Sequence, residues 1–185
     1  MQNIIPVSGG PTKPEVLAIA LSKLDLRPGD TFLDIGCGTA SVSIAAAKQC
    51  PGAGISVMAI DDRPEAVSAA KENISNSGLE DRITVIQGEA TDVLNDIEKA
   101  DCAFIGGSRN IEAVLDVVAT KVRRTIVVNA VRIETAARII TRMKTLGIFH
   151  EALHVQVSKS SELAGETYFK PENPVYIIVG NTSQS

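Results

Sequence analysis

The sequence predicts an α/β domain whose mostly parallel, seven-stranded sheet closes with an antiparallel hairpin at the C-terminal end. Three observations predict it. Short apolar runs alternate with helical stretches of about 10–15 residues, and that rhythm requires parallel strands joined by right-handed crossovers. The run Thr31-Phe32-Leu33-Asp34-Ile35 ends in Gly36-Cys37-Gly38, a tight glycine turn from a strand into a helix. Beyond Gly147 the rhythm breaks: 149–158 and 174–180 both read as strands, with no helix of useful length between them.

Each element has a local reason. Residues 1–11 read as a loop ending in Gly9-Gly10-Pro11. Pro14 opens a helix over 14–25, because a proline in the first turn forfeits no helical hydrogen bond. Arg27-Pro28-Gly29-Asp30 turns the chain into a strand over 31–36, and a helix over 40–50 follows. The strand 55–60 ends at Asp61-Asp62; Pro64 starts the next helix and Gly78 stops it after Asn76-Ser77. Further strands fall at 83–87, 102–105 and 125–130, and helices at 109–121 and 133–146. Lys121, Arg123 and Arg124 are placed to cap the negative end of the helix 109–121, and Asp62 to cap the helix at Pro64. The polar stretch 159–173 reads as the long loop of a C-terminal hairpin spanning 149–180.

The 185 residues suit one domain, 1–185, with a substantial core. A hydrophobic share of 44% with 22% charged residues is that of a soluble α/β protein. No apolar run approaches a bilayer span and no secretory leader is visible, so neither membrane nor export is expected. Cys37, Cys50 and Cys102 are odd in number and lack zinc-type spacing, which reads as reduced thiols of a cytoplasmic protein with no metal site. A net charge of −4 and the absence of Trp argue against nucleic acid as a partner. His150 and His154 fall in a β-like run, where i, i+4 leaves them on one face but about 13 Å apart, so a structural role is expected for both.

The glycine turn carries the chemistry. A dinucleotide loop wants an apolar residue at position 34, because a carboxylate there repels pyrophosphate. Asp34 instead suits a ligand with an ammonium or sulfonium group, and S-adenosyl-L-methionine carries both. The G-x-G-x-x-G register of a dehydrogenase would put Ser41 at its third glycine. The loop resembles motif I of the Rossmann-like class I methyltransferases, D-x-G-x-G-x-G, with Ala40 at the last glycine. An antiparallel hairpin closing a five-stranded parallel sheet is that fold's signature. By this reading Asp34 orients the ammonium group, and Gly36, Cys37, Gly38, Thr39 and Ala40 line the methionine and ribose. The extra methyl of Ala40 is expected to be tolerated. Asp61, at the end of the second strand, accepts both ribose hydroxyls; the other reading makes it a capping acid, a role for which Asp62 is better placed. Glu89 either borders the adenine or is a solvated loop charge, and the Ala90 backbone contacts adenine without needing a side chain. Asn173-Pro174-Val175-Tyr176 matches the amino-methylating motif only in letters, since it precedes the last strand.

The segment Gly10-Pro11-Thr12-Lys13-Pro14-Glu15-Val16 narrows the family. Together with Asp34 to Thr39, Ala59-Ile60-Asp61, Gly88-Glu89-Ala90, Phe104-Ile105-Gly106-Gly107-Ser108 and Asn173-Pro174-Val175 it resembles the decarboxylating precorrin C15-methyltransferases of cobalamin biosynthesis. The likeness runs from Gly9 to Gly180. It implies S-adenosylmethionine-dependent methylation of carbon 15 of a corrin precursor with loss of the ring-C acetate carboxyl. It also implies that residues 1–13 lie over the cofactor with Thr12 touching it, and that the protein self-associates as a homo-oligomer. A tetrapyrrole with many carboxylates needs cations, for which Lys13, Arg109, Arg132 and Lys170 are candidates; no catalytic base is evident. Other readings are a methyltransferase of another small molecule or of tRNA, a non-enzymatic binding or assembly subunit on the same fold, and, more distantly, an oxidoreductase. Whether the substrate carries cobalt is not written in the sequence, although a stand-alone domain of this size suits the anaerobic, cobalt-dependent route.

Overall fold

A computed structural model describes residues 5–7, 10–50, 54–107 and 109–182; Gly9 and Ser108, which belong to two of the motifs, lie outside the described residues. The apolar runs form β1 (Thr31–Ile35), β2 (Ser56–Asp61), β3 (Ile83–Gln87), β4 (Ala100–Ile105) and β5 (Val122–Ala130). Between them lie α1 (Pro14–Leu24, before β1), α2 (Ser41–Gln49), α3 (Pro64–Asn76), α4 (Ala90–Asp96) and α5 (Ile111–Lys121), and α6 (Ile133–Thr145) follows β5. The chain then forms β6 (Phe149–Val155), β7 (Ser158–Leu163), β8 (Glu166–Pro171) and β9 (Val175–Asn181).

The main sheet has seven strands in the order β3-β2-β1-β4-β5-β9-β6, all parallel except β9, which inserts antiparallel between β5 and β6. Alternate side chains of each strand serve opposite faces. Phe32, Val57, Cys102, Phe104, Val127 and Ile177 pack with α1, α2 and α3. Leu33, Ile35, Ile60, Ile105, Ile126 and Ile178 pack with α4, α5 and α6. The chain leaves β1 towards β2 and β3 and returns to β4 on the other side of β1. That reversal opens a crevice at the carboxyl ends of β1 and β4, where open α/β sheets bind their ligands.

Three expectations are corrected. Residues 159–173 are not a loop: β7 and β8 form a separate two-stranded arm, in register from Ser158↔Pro171 to Leu163↔Glu166. Its two-residue turn puts Ala164 and Gly165 at φ 52 and 82, the left-handed pair a tight hairpin requires. Helix α4, which the sequence did not announce, contributes a single fully buried side chain, Leu94. The cations near 121 do not cap α5 as expected. Strand β5 begins at Val122, so Arg123 and Arg124 are strand residues. Lys121 Nζ instead donates to Asn95 O and Ile97 O at the end of α4, and Lys99 Nζ reaches Thr120 O of α5 at 2.6 Å. Asp62 does not cap α3, whose N-cap is Arg63 with no side-chain cap; Asp62 pairs with Arg109. His154 stacks on Tyr176 across the β6–β9 pair, ring centroids 4.8 Å apart. No helix among the described residues is long and apolar enough to cross a membrane.

Candidate functional site

The crevice holds a cavity of about 420 Å³. Of the ten cofactor positions read from the sequence, Thr12, Asp34, Gly36, Cys37, Gly38, Thr39, Asp61, Glu89 and Ala90 line it; Ala40 sits behind the wall, fully buried. The N-terminal segment reaches it through Val7, Gly10 and Thr12. Asn73 ties this segment down: its Oδ1 accepts from Ile5 N at 2.8 Å, and its Nδ2 donates to Thr39 O at 3.1 Å.

The glycine turn is built by close backbone approach. Gly36 N and Cys37 N both donate to Ile60 O, at 2.8 and 3.0 Å. Gly36 has φ 71, and a Cβ there would lie 2.8 Å from Gly107 N and 3.2 Å from Gly107 Cα, so only glycine fits. Gly38 has φ 55 with nothing nearer than 3.8 Å, so its need is conformational alone. Ala40 is also left-handed, at φ 58, as the N-cap of α2. Its extra methyl therefore carries a backbone cost of roughly 1–2 kcal/mol that a glycine would avoid.

Asp34 is 1% exposed. Its Oδ2 accepts from Ser43 N at 3.0 Å and Ser43 Oγ at 2.5 Å, which orients the carboxyl from the first turn of α2. Its Oδ1 is buried with no partner among the described residues, and burial pushes the carboxyl up to about 6 against the Ser43 bonds. A buried acceptor left unsatisfied costs about 1–3 kcal/mol, and a cationic donor entering the cavity would satisfy it. Burial and the neighbouring Asp34 charge push the Cys37 thiol up, so it stays protonated and unreactive.

Asp61 is fully engaged. Gly38 N and Arg63 Nη2 donate to Oδ2 at 2.9 and 3.0 Å, and Arg63 N and Nε to Oδ1 at 3.1 and 3.0 Å. Burial alone would raise this carboxyl, yet the Arg63 guanidinium and the Gly38 N–H together hold it below its ordinary value. Glu89 is not a free, solvated loop charge. It is the N-cap of α4, accepting from Thr91 N at 2.6 Å and from the Thr91 hydroxyl, and it lines the cavity. The Thr91 hydroxyl bond holds its carboxyl below the usual value.

A second cavity of about 240 Å³ adjoins the first at the ends of β4 and β5 and shares Gly10, Thr12, Phe104 and Gly106 with it. Asn129 lines it, with Oδ1 buried and unpartnered among the described residues. Of the four cations nominated for the substrate, Lys13 pairs with Glu172 at 3.0 Å and Arg109 with Asp62. Lys170 stands opposite Lys159 on the arm, and Arg132 lines the second cavity. Sequence reasoning missed Ser43, Arg63 and Asn129. Ser43 lay nine positions from Asp34, one turn into the helix, and that spacing was its only available signal.

Comparison with known proteins agrees with this geometry. The profile of the precorrin methyltransferase domain matches residues 7–181. The chain belongs to the precorrin methyltransferase domain family. Within it, a probable cobalt-precorrin-6B C(15)-methyltransferase (decarboxylating) of Methanosarcina acetivorans is 53% identical over 183 residues, 97% of this chain and 98% of its own. Among solved structures, a precorrin 8W decarboxylase of Methanobacterium thermoautotrophicum superposes with a TM-score of 0.88 at 28% identity over 96% of each chain. A precorrin-6y C5,15-methyltransferase of Geobacter metallireducens gives a TM-score of 0.88 at 31% identity, over 96% of this chain and 94% of its own. The precorrin methyltransferase domain thus spans nearly the whole chain, and its fold is the class I methyltransferase fold that the Asp34 loop implied.

Proposed function

We propose that this protein methylates carbon 15 of a cobalt-precorrin from S-adenosylmethionine and removes the carboxyl of the ring-C acetate. The observation that carries the reading is Asp34 Oδ1, a buried carboxylate oxygen at the glycine turn with no hydrogen-bond partner among the described residues, which fits the ammonium group of the methionine moiety. Asp61 fits the ribose hydroxyls, and the Gly88–Ala90 backbone fits the adenine edge. A carboxylate offers about four acceptor sites, and Asp61 uses all four. Ribose binding therefore requires the Arg63 side chain to turn aside. When bound, S-adenosylmethionine supplies an electrophilic methyl group. The chain's own part is to hold the acceptor carbon in line with that methyl and to exclude water. Thr12 and the N-terminal segment over the cavity serve that exclusion.

The 53%-identical relative named for cobalt-precorrin-6B supports the cobalt-bearing substrate. Self-association is part of the same proposal: the arm carries Leu163, Tyr168 and Phe169 exposed on a sheet of its own, away from the main core. The test is mass spectrometry of cobalt-precorrin-6B incubated with the protein and S-adenosylmethionine. A product with one added methyl and one carbon dioxide lost is expected. Methyl gain without that loss would assign decarboxylation elsewhere, and an unchanged tetrapyrrole would refute the proposed substrate.

A further inference from the structure

We infer that the second cavity is the receptor for a carboxylate-bearing side chain of the macrocyclic substrate, with Arg132 as its cationic ligand and Asn129 as its neutral one. The inference rests on the proposed function and assigns the tetrapyrrole a seat that the cofactor residues do not define. The cavity meets the first along Gly10, Thr12, Phe104 and Gly106. A side chain lodged in it therefore belongs to a ring lying across the mouth of the cofactor cavity.

Its wall is apolar where Val16, Phe104, Ala130 and Val175 are buried. Against that wall stand Lys13, Asn129 and Arg132. Lys13 is committed to Glu172, which also pairs with Lys159 at 3.5 Å. Arg132 has no ion pair and its side chain no hydrogen bond among the described residues, although it stands at the head of α6 as its N-cap. The Asn129 carboxamide likewise makes no hydrogen bond among them, and its buried Oδ1 is a cost to the fold. The exposed, uncommitted Arg132 guanidinium and the free Nδ2 of Asn129 line this cavity as donors that a carboxylate can take up, whereas the buried Asn129 Oδ1, an acceptor, is not answered by such a ligand. The guanidinium supplies charge and a two-pronged donor, and the carboxamide adds a neutral donor.

The rim identifies the rest of the ligand. Val131, which lines the cavity, and Ile133, which lies outside its lining, flank Arg132 in the chain and are 66% and 56% exposed. Two bare aliphatic side chains on either side of a cation suit a broad apolar ring with an anionic perimeter. They do not suit a small polar metabolite, which would leave both in water.

The test compares wild type with Arg132→Gln, Arg132→Lys, Asn129→Leu and the control Arg138→Gln. Cobalt-precorrin-6B is titrated by absorbance without S-adenosylmethionine, S-adenosylhomocysteine by calorimetry, and each variant is melted. Arg132→Gln should raise the precorrin Kd about 10- to 100-fold, the range for losing a charged hydrogen-bond partner. Arg132→Lys should recover part of that loss. Asn129→Leu should also weaken precorrin binding while raising the melting temperature, since it removes the unmet acceptor. Arg138→Gln, on the exposed face of α6, should match wild type, and homocysteine-ligand affinity should be unchanged throughout. Precorrin affinities of Arg132→Gln and Asn129→Leu within twofold of wild type would overturn the inference and leave the proposed function standing. A loss of S-adenosylhomocysteine affinity in Arg132→Gln would overturn it too, giving the cavity to the cofactor's own carboxylate. Failure of the wild type itself to bind the precorrin would overturn both.

Discussion

Lowering the pH from 7 to 5 should weaken S-adenosylhomocysteine binding about tenfold, and the cause is Asp34. With its carboxyl raised to about 6, Asp34 is about nine-tenths ionised at pH 7 and about one-tenth at pH 5. Only the ionised form attracts an ammonium group, so affinity follows the ionised fraction. Asp61 and Glu89, held below their ordinary values, do not titrate in this window. The ligand's own amine titrates at about 8 or above, so it stays charged throughout. Calorimetry in two buffers of different ionisation enthalpy should show release of about half a proton per ligand near pH 6. The stability of the ligand-free protein has the opposite sign. Between pH 3.8 and about 6 the unfolded chain ionises Asp34 while the fold keeps it protonated, so stability falls as pH rises through that window. The loss is of order 3 kcal/mol and is fully present above pH 6. Asp34→Asn, which keeps an acceptor for Ser43, should therefore melt above wild type at pH 7 while binding the ligand weakly and without pH dependence. Equal wild-type affinity at pH 5 and 7, or the same slope in Asp34→Asn, would refute this reasoning.

Gly36→Ala forces a Cβ to 2.8 Å from Gly107 N at positive φ. About 3 kcal/mol of destabilisation, a drop of roughly 6–12 °C in melting temperature, is expected. Gly107→Ala, whose Cβ meets nothing nearer than 3.8 Å, should melt close to wild type, and equal drops in the two variants would contradict the close-approach argument. Asp61→Ala should abolish measurable S-adenosylhomocysteine binding by calorimetry. Arg63→Met should leave it unchanged or up to about fivefold tighter, because the guanidinium no longer competes with the ribose; a tenfold loss would make Arg63 a ligand contact instead. Phe169→Glu, on the exposed arm, should lower the mass seen in sedimentation equilibrium at unchanged cofactor affinity, and an unaltered mass would remove the arm from self-association.

Much of the fold was legible because burial leaves a period. Phe32 and Leu33 serve opposite faces of one strand, and the glycine turn after Ile35 marks the cavity at the carboxyl end of the sheet. Asp34 and Asp61 were readable for the same reason: each is an acid at the carboxyl end of an apolar run. The arm was not readable, since every residue of β7 and β8 is exposed and no alternation reports the pairing. Its turn uses Ala164-Gly165 instead of a strong hairpin pair such as Asn-Gly. Helix α4 buries Leu94 alone and lacks a stripe. The partners of Lys121, Asp62 and Arg63 depend on which helix end or carboxylate lies within reach in three dimensions, and chain order carries no record of that. Ala40 shows the limit most plainly: the motif located the residue, but its left-handed backbone, and hence the reason glycine suits the position, belongs to the folded turn.

Local rules are broken unevenly over the molecule, and the unevenness is itself an argument for function. At the amino end of the sheet the charged groups answer one another: Arg124 pairs with Asp30 and touches Cys102 Sγ at 3.0 Å, and Thr31 N donates to Asp101 at 2.8 Å. Arg124 Nε is unpaired there, but on a guanidinium whose other nitrogens are committed. Glu15 Oε2 belongs to a carboxylate whose other oxygen pairs with Lys159, and Glu172 Oε2 itself lies 3.0 Å from Lys13 Nζ in an ion pair. The remaining buried side-chain atoms without a hydrogen bond among the described residues are Asp34 Oδ1, Thr39 Oγ1 and Asn129 Oδ1. All three belong to residues that line the two joined cavities, and the left-handed Ala40 stands next to them. A fold selected for stability alone would have filled these positions with apolar side chains or answered them with donors. Their concentration at one end of the sheet marks it as the binding end, and of the three only Asp34 Oδ1 calls for a cation, so S-adenosylhomocysteine, through its ammonium group, should raise the melting temperature of wild type more than that of Asp34→Asn.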